Sequence, residues 1–510
     1  MPAPQASSRR SFLLNASSTL ALGALPAALR PVSATEVTTS IIDLSAVEAI
    51  AHMSHGELSC EHYARALLDR CAAASALNAF ITLEPDRVLE AARACDQARL
   101  AGLRPGPLFG LPIPVKDSVN TSEYPTTAGT PALRHFRPAA DAPLVAALRA
   151  HGAIVLGKTN LHELSYGWTS NNLAFGAVHN PYDLTRIPGG SSGGTAAAIA
   201  ARLAPLGVAE DTEGSIRVPA AFCGIMGFRP TTARYSTQGC VPITPLFDQV
   251  GPQARTVADL ALFDSVVAHD WRPLPPMPLR GIRLGIVRDY WYRDLDPEVE
   301  RLTTAALDRL LQAGVELVQS ELPRLAQLID LITEPVQNHD VRLALARYLR
   351  RYHAGVTFEQ LTSQASEDIQ ALFRSDVLPG GANFITEAVY RAAIDTHLPA
   401  LRRLYRDYFA HTGVAAMIFP ATLVPALPIG SESDVTIRGQ TVSFETAVAR
   451  NIAPGSTAGL PGLVLPVGLT SAGLPVAIEL DAASGSDRAL LALGASAAEV
   501  LGSVPPPRIG

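Results

Sequence analysis

Lysine is nearly absent from this chain of 510 residues. Of its 41 lysine and arginine residues, only Lys116 and Lys158 are lysines. Arginine cannot serve as a proton acceptor because its pKa stays above about 12, whereas a desolvated lysine can lose its proton and act as a base. Each lysine is therefore a candidate base, although chance survival or a packing role accounts equally well for either one alone.

Cysteine is also scarce, and its spacing excludes the familiar zinc sites. The five cysteines lie far apart, contain no C-x-x-C pair and, being odd in number, cannot all form disulfides. We expect buried thiols or at most one disulfide. The His52-x-x-His55 and His162-Glu163 pairs do not complete an H-E-x-x-H motif. No metal and no other cofactor is therefore predicted.

Charged residues make up only 17% of the chain, and hydrophobic residues make up 48%. This composition predicts a globular protein with one large core or two moderate ones. The net charge of −6, without a basic stripe, argues against a nucleic-acid partner. A small molecule is the expected partner, and a homodimer is compatible with the sequence.

The amino terminus has the pattern of an export signal. Arg9-Arg10 is followed by Phe12, by an apolar stretch over residues 13–29, and by the small residues Val32-Ser33-Ala34. Paired arginines of this kind are typical of twin-arginine export. We therefore predict a cleavable signal over residues 1–34 and a periplasmic or secreted location. Polar residues interrupt the apolar stretch, so no stable membrane span is expected. The alternative is an amphipathic first helix of the domain.

Short apolar runs alternate with helical patterns, which predicts an α/β fold. Buried strands are predicted at 110–117, 153–157, 206–209, 282–287, 414–419, 463–467 and 474–480. Asp296-Pro297 is a typical helix start, with a capping aspartate before a proline at the first helical position. Residues 324–412 are mostly helical by pattern and carry no chemical motif.

Two segments carry most of the chemistry-bearing residues. The first segment is Gly189-Gly190-Ser191-Ser192-Gly193-Gly194. Its side chains are small, so its backbone can pass close to a substrate, and the segment leads directly into a predicted apolar helix. Ser215, in the segment Asp211 to Ala220, lies 24 residues after Ser191. A serine hydroxyl is a weak nucleophile and needs an adjacent base, and a lysine base must be desolvated to be neutral.

In order and spacing, four segments resemble the amidase signature family: residues 110–117, 157–163, 188–194 and 211–220. The resemblance covers residues 40–270 and returns in the tail at Asn451, 458–461 and 473–476. It implies a hydrolase of linear amide carbon–nitrogen bonds that releases a carboxylic acid and ammonia or an amine. The implied fold is a single α/β/α domain over residues 35–505, with a large mixed twisted sheet and helices on both faces. Residues 324–412 would form a helical cap that sets substrate preference.

The resemblance also implies a Ser-Ser-Lys triad. Lys116 is the expected base, Ser215 the nucleophile that forms the acyl-enzyme, and Ser191 the bridging serine on a cis peptide after Gly190. Lys158 is expected to be structural, because the family uses the lysine in the Pro-Val-Lys-Asp context.

Residues around the expected nucleophile receive supporting roles. Asp211 and Arg217 are expected to brace the turn as a buried pair. The oxyanion hole is expected to consist of the backbone N–H groups of Thr212, Glu213, Gly214 and Ser215.

Glu213 departs from the family pattern, which has a glycine at this position. A glutamate still offers its N–H, but a carboxylate pointing inward would repel the negative charge that develops on the oxyanion. We expect the Glu213 side chain to point away, toward an arginine. The departure bears on substrate range and rate more than on reaction type.

Trp168, Trp291 and the tail segment Ile478–Asp481 resemble the aryl-acetamide branch, of the mandelamide and indoleacetamide type. A small aryl or apolar amide is therefore the expected substrate, with Tyr166 and Trp168 as pocket residues, although plain packing explains these two equally well. Two alternatives remain: a peptide amidase, and a catalytically silent amidase-like binding protein. The G-x-S-x-G of an α/β-hydrolase is disfavoured because Ile187-Pro188, and not a strand, precedes it.

Overall fold

The computed structural model describes residues 40–103, 106–275, 277–431 and 433–508. The predicted export signal lies outside these residues. The strands within them are β1 Phe80–Thr82, β2 Pro112–Lys116, β3 Ile154–Thr159, β4 Asn171–Asn172, β5 Gly176–Ala177, β6 Leu206–Asp211, β7 Met226–Arg229, β8 Gln249–Ala254, β9 Arg283–Ile286, β10 Glu316–Gln319, β11 Ala416–Pro420, β12 Val435–Ile437, β13 Gln440–Val442, β14 Gly462–Leu469 and β15 Pro475–Asp481.

Eleven of these strands form one mixed sheet, in the order β1-β3-β2-β6-β8-β7-β14-β15-β11-β9-β10. Strands β2, β3 and β6 are parallel neighbours, and so are β9, β10 and β11. Between them, β8, β7, β14 and β15 pair antiparallel. The prediction of an α/β fold around a large mixed sheet is confirmed.

The helices of the described residues are α1 Ala46–His55, α2 Cys60–Ala73, α3 Pro85–Leu100, α4 Pro143–Ala150, α5 Gly193–Ala200, α6 Arg217–Phe222, α7 Val257–Val267, α8 Arg288–Trp291, α9 Pro297–Gln312, α10 Leu325–Asp330, α11 Thr333–Arg351, α12 Phe358–Gln364, α13 Glu367–Leu372, α14 Glu387–Ala392, α15 Leu398–Thr412, α16 Phe444–Ala449, α17 Ala453–Ala458 and α18 Asp487–Leu501. Helix α9 begins as predicted, with Asp296 accepting a hydrogen bond from the Glu298 N–H and Pro297 in the first turn. None of these helices is long and apolar enough to cross a membrane.

Helices cover both faces of the sheet. Gly227 of β7 lies against Ala220, within α6, and against Ile216, the residue before α6 begins. Leu463 of β14 pairs with Phe228, the next residue along β7, so its side chain points to the opposite face. There it packs over Gly494 of α18. The two helices therefore enclose the sheet from opposite sides.

Residues 325–412 contain helices α10 to α15 and two π turns at Phe373–Val377 and Ala393–His397. Their apolar side chains contribute to two clusters, one around Trp291 and Tyr405 that also includes Met417 and Phe419 of β11, and one around Leu345 and Phe373. These helices can therefore position side chains over the end of the sheet, while the order of the strands in the sheet stays the same.

Candidate active site

Three chain segments bring the predicted triad residues to one edge of the sheet. Lys116 is the last residue of β2, Ser191 lies just before α5, and Ser215 lies in the turn between β6 and α6. Strands β2 and β6 run parallel, with Val115 opposite Val208. Their carboxyl ends therefore meet at the same edge, where α/β sheets place their ligands.

Lys116 is fully buried and contacts the Gly/Ser segment directly. Its Nζ donates to Ser191 Oγ at 2.7 Å and to the Glu210 carbonyl at 3.4 Å. Burial lowers the pKa of Lys116, and the Glu210 carboxylate, 3.4 Å from Nζ, opposes part of that shift. The buried position thus favours the neutral amine that can accept a proton.

Glu210 is a buried site residue that sequence reasoning missed. Its Oε2 accepts hydrogen bonds from Ser118 Oγ at 2.6 Å and from Ser165 Oγ at 3.2 Å. The available signal was an acid inside the apolar strand Leu206–Asp211, since a buried carboxylate needs donors or a cation. These bonds hold its carboxylate beside the lysine.

The backbone around Ser191 passes very close to its neighbours. The Gly190–Ser191 peptide is cis, as the resemblance implies. A Cβ on Gly190 would lie 2.6 Å from the Trp168 carbonyl carbon, so only glycine fits there. The Ser191 carbonyl accepts from the His162 N–H at 3.1 Å and from Ser170 Oγ at 3.2 Å. These contacts fix the position of the serine facing Lys116.

Asp211 organises the turn that carries Ser215. Its carboxylate accepts from the Gly214 N–H at 2.8 Å and from the Ile216 N–H at 3.0 Å. The Gly214 N–H is therefore already bonded, which differs from the prediction that it faces the oxyanion. Gly214 has φ = 105°, a conformation that favours glycine, so a side chain at this position would be strained.

Asp211 and Arg217, predicted as a buried pair, lie together with both side chains fully buried. The Arg217 guanidinium reaches Asp211 Oδ2 at 3.0 Å and Glu479 Oε1 at 2.5 Å, and it also bonds Ser456. Burial alone would raise the pKa of Asp211, but Arg217 and Arg229 outweigh it and hold that pKa well below its usual range. The carboxylate that shapes the turn therefore stays ionised.

The other three predicted oxyanion donors, Thr212, Glu213 and Ser215, differ from Gly214 in that their N–H groups are not bonded within the turn. Within the described residues, the N–H groups of Thr212, Glu213 and Ser215 have no protein acceptor. The Glu213 carbonyl accepts from Trp168 Nε1 at 3.0 Å, and Thr212 Oγ1 donates to Asp248 at 2.7 Å. Those two contacts anchor the peptides on either side of the free N–H groups.

A cavity of about 330 Å³ opens at Ser215. Tyr166 and Trp168, the predicted pocket residues, both line it. Tyr166 donates to Asn338 Oδ1 at 2.5 Å and packs edge-on against Phe373, which ties the loop before the Gly/Ser segment to residues of the 325–412 region. The other residues lining the cavity are Ser165, Gly167, Thr212, Glu213, Ile243, Glu334, Gln337, Asn338, Leu372, Asp376, Asn383 and Glu445.

The Glu213 side chain points into this cavity. Its Oε2 accepts from Gln337 Nε2 at 2.5 Å, so the expected arginine partner is replaced by a neutral amide from α11. Sequence reasoning missed Glu334, Gln337, Asn338 and Glu445. Glu334, Gln337 and Asn338 have the i, i+3, i+4 spacing of one helix face, which was the only local signal.

Lys158, the other lysine, has a different environment. Its Nζ lies 2.9 Å from Asp117 Oδ1, and it donates to Thr126 Oγ1 at 2.9 Å and to the Pro125 carbonyl at 3.1 Å. These contacts join β3 to the loop after β2. The five cysteines are free thiols, and among the described residues no three His, Cys, Asp or Glu side chains are grouped as a metal site.

Comparison with known proteins gives a consistent result. The family model described as Amidase matches residues 63–491. The chain is 36% identical to an indoleacetamide hydrolase of Rhizobium radiobacter over 459 residues, covering 90% of this chain and 97% of that protein. It is 37% identical to a mandelamide hydrolase of Pseudomonas putida over 480 residues, covering 91% and 93%. The crystal structure of a peptide amidase from Stenotrophomonas maltophilia superposes with a TM-score of 0.76 at 28% identity, covering 92% and 99%.

Proposed function

The chain belongs to the amidase family, and from that premise we propose that it hydrolyses a small amide by acylation of Ser215, with Ser191 as relay and Lys116 as base. Hydrolysis of amide carbon–nitrogen bonds is the activity that its relatives share by name. The assignment of roles to the three residues is our proposal.

The contact between Lys116 Nζ and Ser191 Oγ, 2.7 Å long and fully buried, carries this proposal. A neutral amine at that distance can accept the Ser191 proton. Burial lowers the pKa of Lys116 and so favours the required form. Ser215 faces the cavity, where a substrate carbonyl can approach it.

In the proposed reaction, Lys116 takes the proton of Ser191 while Ser191 takes the proton of Ser215. The Ser215 Oγ bonds to the amide carbonyl carbon, and N–H groups of the turn at 212–215 other than that of Gly214 stabilise the oxyanion. The proton returns through Ser191 to the leaving nitrogen as the carbon–nitrogen bond breaks. Water then attacks the acyl-enzyme through the same relay and releases the carboxylic acid.

A fluorophosphonate probe tests the nucleophile. We expect labelling of Ser215 in folded enzyme, located by peptide mass spectrometry, and loss of both labelling and ammonia release in Ser215→Ala. Ser363→Ala, on an exposed turn of α12, is the matched control and should label normally. Folded enzyme that resists the probe would contradict the proposal and favour a silent amidase-like binding protein.

The substrate we propose is a small amide with an aryl group. The two relatives are named for hydrolysis of indoleacetamide and mandelamide, and Tyr166 and Trp168 supply an aromatic wall. A peptide amide is the second candidate, supported by the fold likeness to a peptide amidase. Initial rates on phenylacetamide, a fatty-acyl amide and a peptide amide separate the two, since clear preference for long acyl chains would exclude both.

We also propose export by the twin-arginine route, on the strength of Arg9-Arg10 and the apolar stretch that follows. The enzyme would then act in the periplasm or outside the cell, on amides that reach it there.

A further inference from the structure

The cavity at Ser215 has an acidic wall. Glu213, Glu334, Asp376 and Glu445 all line it, and no lysine or arginine is among the described lining residues. The cavity also reaches the proposed nucleophile, so under the proposed function it must admit the substrate. A wall of one sign selects the charge of what binds against it.

Glu213 is the most buried of these acids, with only 7% of its surface exposed. Gln337 holds one carboxylate oxygen at 2.5 Å, and the Glu213 carbonyl is anchored by Trp168. Glu213 is thus held at its carboxylate and at its backbone carbonyl. Within the described chain, no lysine, arginine or histidine forms an ion pair with it.

Some buried acids near the site have a cation beside them, whereas Asp248, which accepts from Thr212, forms no ion pair within the described residues. Asp211 faces Arg217 and Arg229, and Asp117 faces Lys158. A buried carboxylate without a cation is costly, and Glu213, unlike Asp248, lines the cavity, where the positive charge of a bound ligand can reach it. No three of the described acids are grouped to hold a metal ion, so an organic cation is the better fit.

The acids of the wall also act on one another. Burial, then the Glu445 carboxylate, raises the pKa of Glu213 well above its ordinary value, and Glu334 adds to the shift. Burial, then Glu334, raises the pKa of Glu445 to about 7. A positive charge on a ligand would relieve this repulsion, and it would also offset the charge of Glu213 beside the developing oxyanion.

We propose that this cavity takes an amide whose bound part carries a protonated amino group, and that Glu213 is the specificity-determining residue that recognises it. The ammonium donates to the Glu213 carboxylate, with Glu445 and Glu334 on the same wall, while Tyr166 and Trp168 contact the aryl part. The inference rests on the proposed function and names its substrate class.

Two pairs of amides test this, each matched in size and differing in charge. The first pair is phenylglycinamide and mandelamide, and the second is 4-(aminomethyl)phenylacetamide and 4-(hydroxymethyl)phenylacetamide. At neutral pH, we expect the ammonium member of at least one pair to have a kcat/KM about 10-fold higher, mainly through KM. Raising the ionic strength should reduce the ratio.

Glu213→Gln should lower the ratio of kcat/KM for the ammonium amide to kcat/KM for the neutral amide, to the value expected for a pocket without charge. Glu445→Gln should lower the same ratio. Glu359→Gln, an exposed acid of α12, is the matched control and should leave the ratio unchanged. If Glu213→Gln fails to fold, the ratio in the native enzyme and in Glu445→Gln decides.

The inference is overturned if the neutral member is preferred in both pairs, or if the ratio is insensitive to both glutamine variants. Failure of the proposed function looks different. In that case none of the four amides is hydrolysed and the fluorophosphonate probe leaves Ser215 unlabelled.

Discussion

The two buried lysines differ in the group that lies nearest to their side-chain nitrogen. Lys158 lies 2.9 Å from the Asp117 carboxylate, which opposes part of the lowering of the Lys158 pKa by burial. The nearest partner of Lys116 is a neutral hydroxyl at 2.7 Å, and the Glu210 carboxylate is farther away at 3.4 Å and shared with two serines. Because burial disfavours charge and the compensation is weaker, Lys116 is the lysine suited to release its proton.

Lys116→Arg should lower kcat by about 10³-fold or more, since a guanidinium cannot accept the Ser191 proton. The measurement is ammonia release from a neutral aryl amide, with the thermal unfolding midpoint recorded to show that the fold survives. Lys158→Arg is the control, because it keeps a cation beside Asp117, and most of its turnover should remain. Near-native activity in Lys116→Arg would place the base elsewhere.

The pH profile of the native enzyme is a second readout for the same lysine. Under the proposed mechanism the neutral amine of Lys116 is the active form. Because burial lowers the pKa of Lys116, kcat/KM should rise with pH as the proton is lost and then level off. A rate that falls as pH rises through this range would contradict the assignment.

At this scale, residues within motifs were predictable and their distant partners were not. Ser191, Ser215 and Lys116 stand in recognisable segments of the chain. Gln337, by contrast, contacts Glu213 across 124 positions of sequence. No local pattern encodes such a pairing, because it depends on where α11 lies over the sheet.

At the scale of secondary-structure elements, buried ion pairs stabilise the turn from β6 into α6. Arg217→Met removes the cation that lies 3.0 Å from Asp211 and 2.5 Å from Glu479, leaving both carboxylates buried with less compensation. We expect a loss of about 3–5 kcal/mol in the free energy of unfolding, measured by urea denaturation. Arg301→Met, at an exposed pair on α9, should cost less than about 1 kcal/mol. Equal losses in the two variants would show that the pair at the turn is not special.

The apolar strands were predictable, but two central antiparallel strands were not. Strands β2, β3, β6 and β9 overlap the runs predicted from hydrophobicity. Strands β7 and β8 contain glycine, proline, Arg229 and Gln253, which read as loop. Their polar side chains are buried because Arg229 donates to the Asp211 and Phe247 carbonyls and Gln253 to the Ile216 carbonyl. Tertiary hydrogen bonds, invisible in the sequence pattern, make those strands possible.

For the whole molecule, the sequence predicts the cellular location as well as the fold. Replacing Arg9 and Arg10 by lysine should keep the precursor in the cytoplasm, because the twin-arginine route requires that pair. Fractionation of cells that produce each form, followed by amidase assay of the periplasm, makes the comparison, with Arg30→Lys as the matched control. Periplasmic recovery of the Arg9→Lys, Arg10→Lys protein would contradict twin-arginine export.

The cavity is a property of the whole chain. Its lining comes from the loop at 165–168, the turn at 212–215, α11, the segment 372–383 and α16. The sequence predicted the aromatic side of this wall through Tyr166 and Trp168. The acidic side could not be predicted, because Glu334 of α11 and Glu445 of α16 come near Glu213 only once these two helices have packed.

The burial of both lysines affects how the protein can be modified chemically. Since neither Lys116 nor Lys158 has any exposed surface, the folded enzyme presents no side-chain amine to reagents such as activated esters. Among its amines, such reagents would modify only the α-amino group and leave Lys116 untouched. A lysine placed at an exposed arginine, for example Arg406→Lys, would then add one defined side-chain point of attachment.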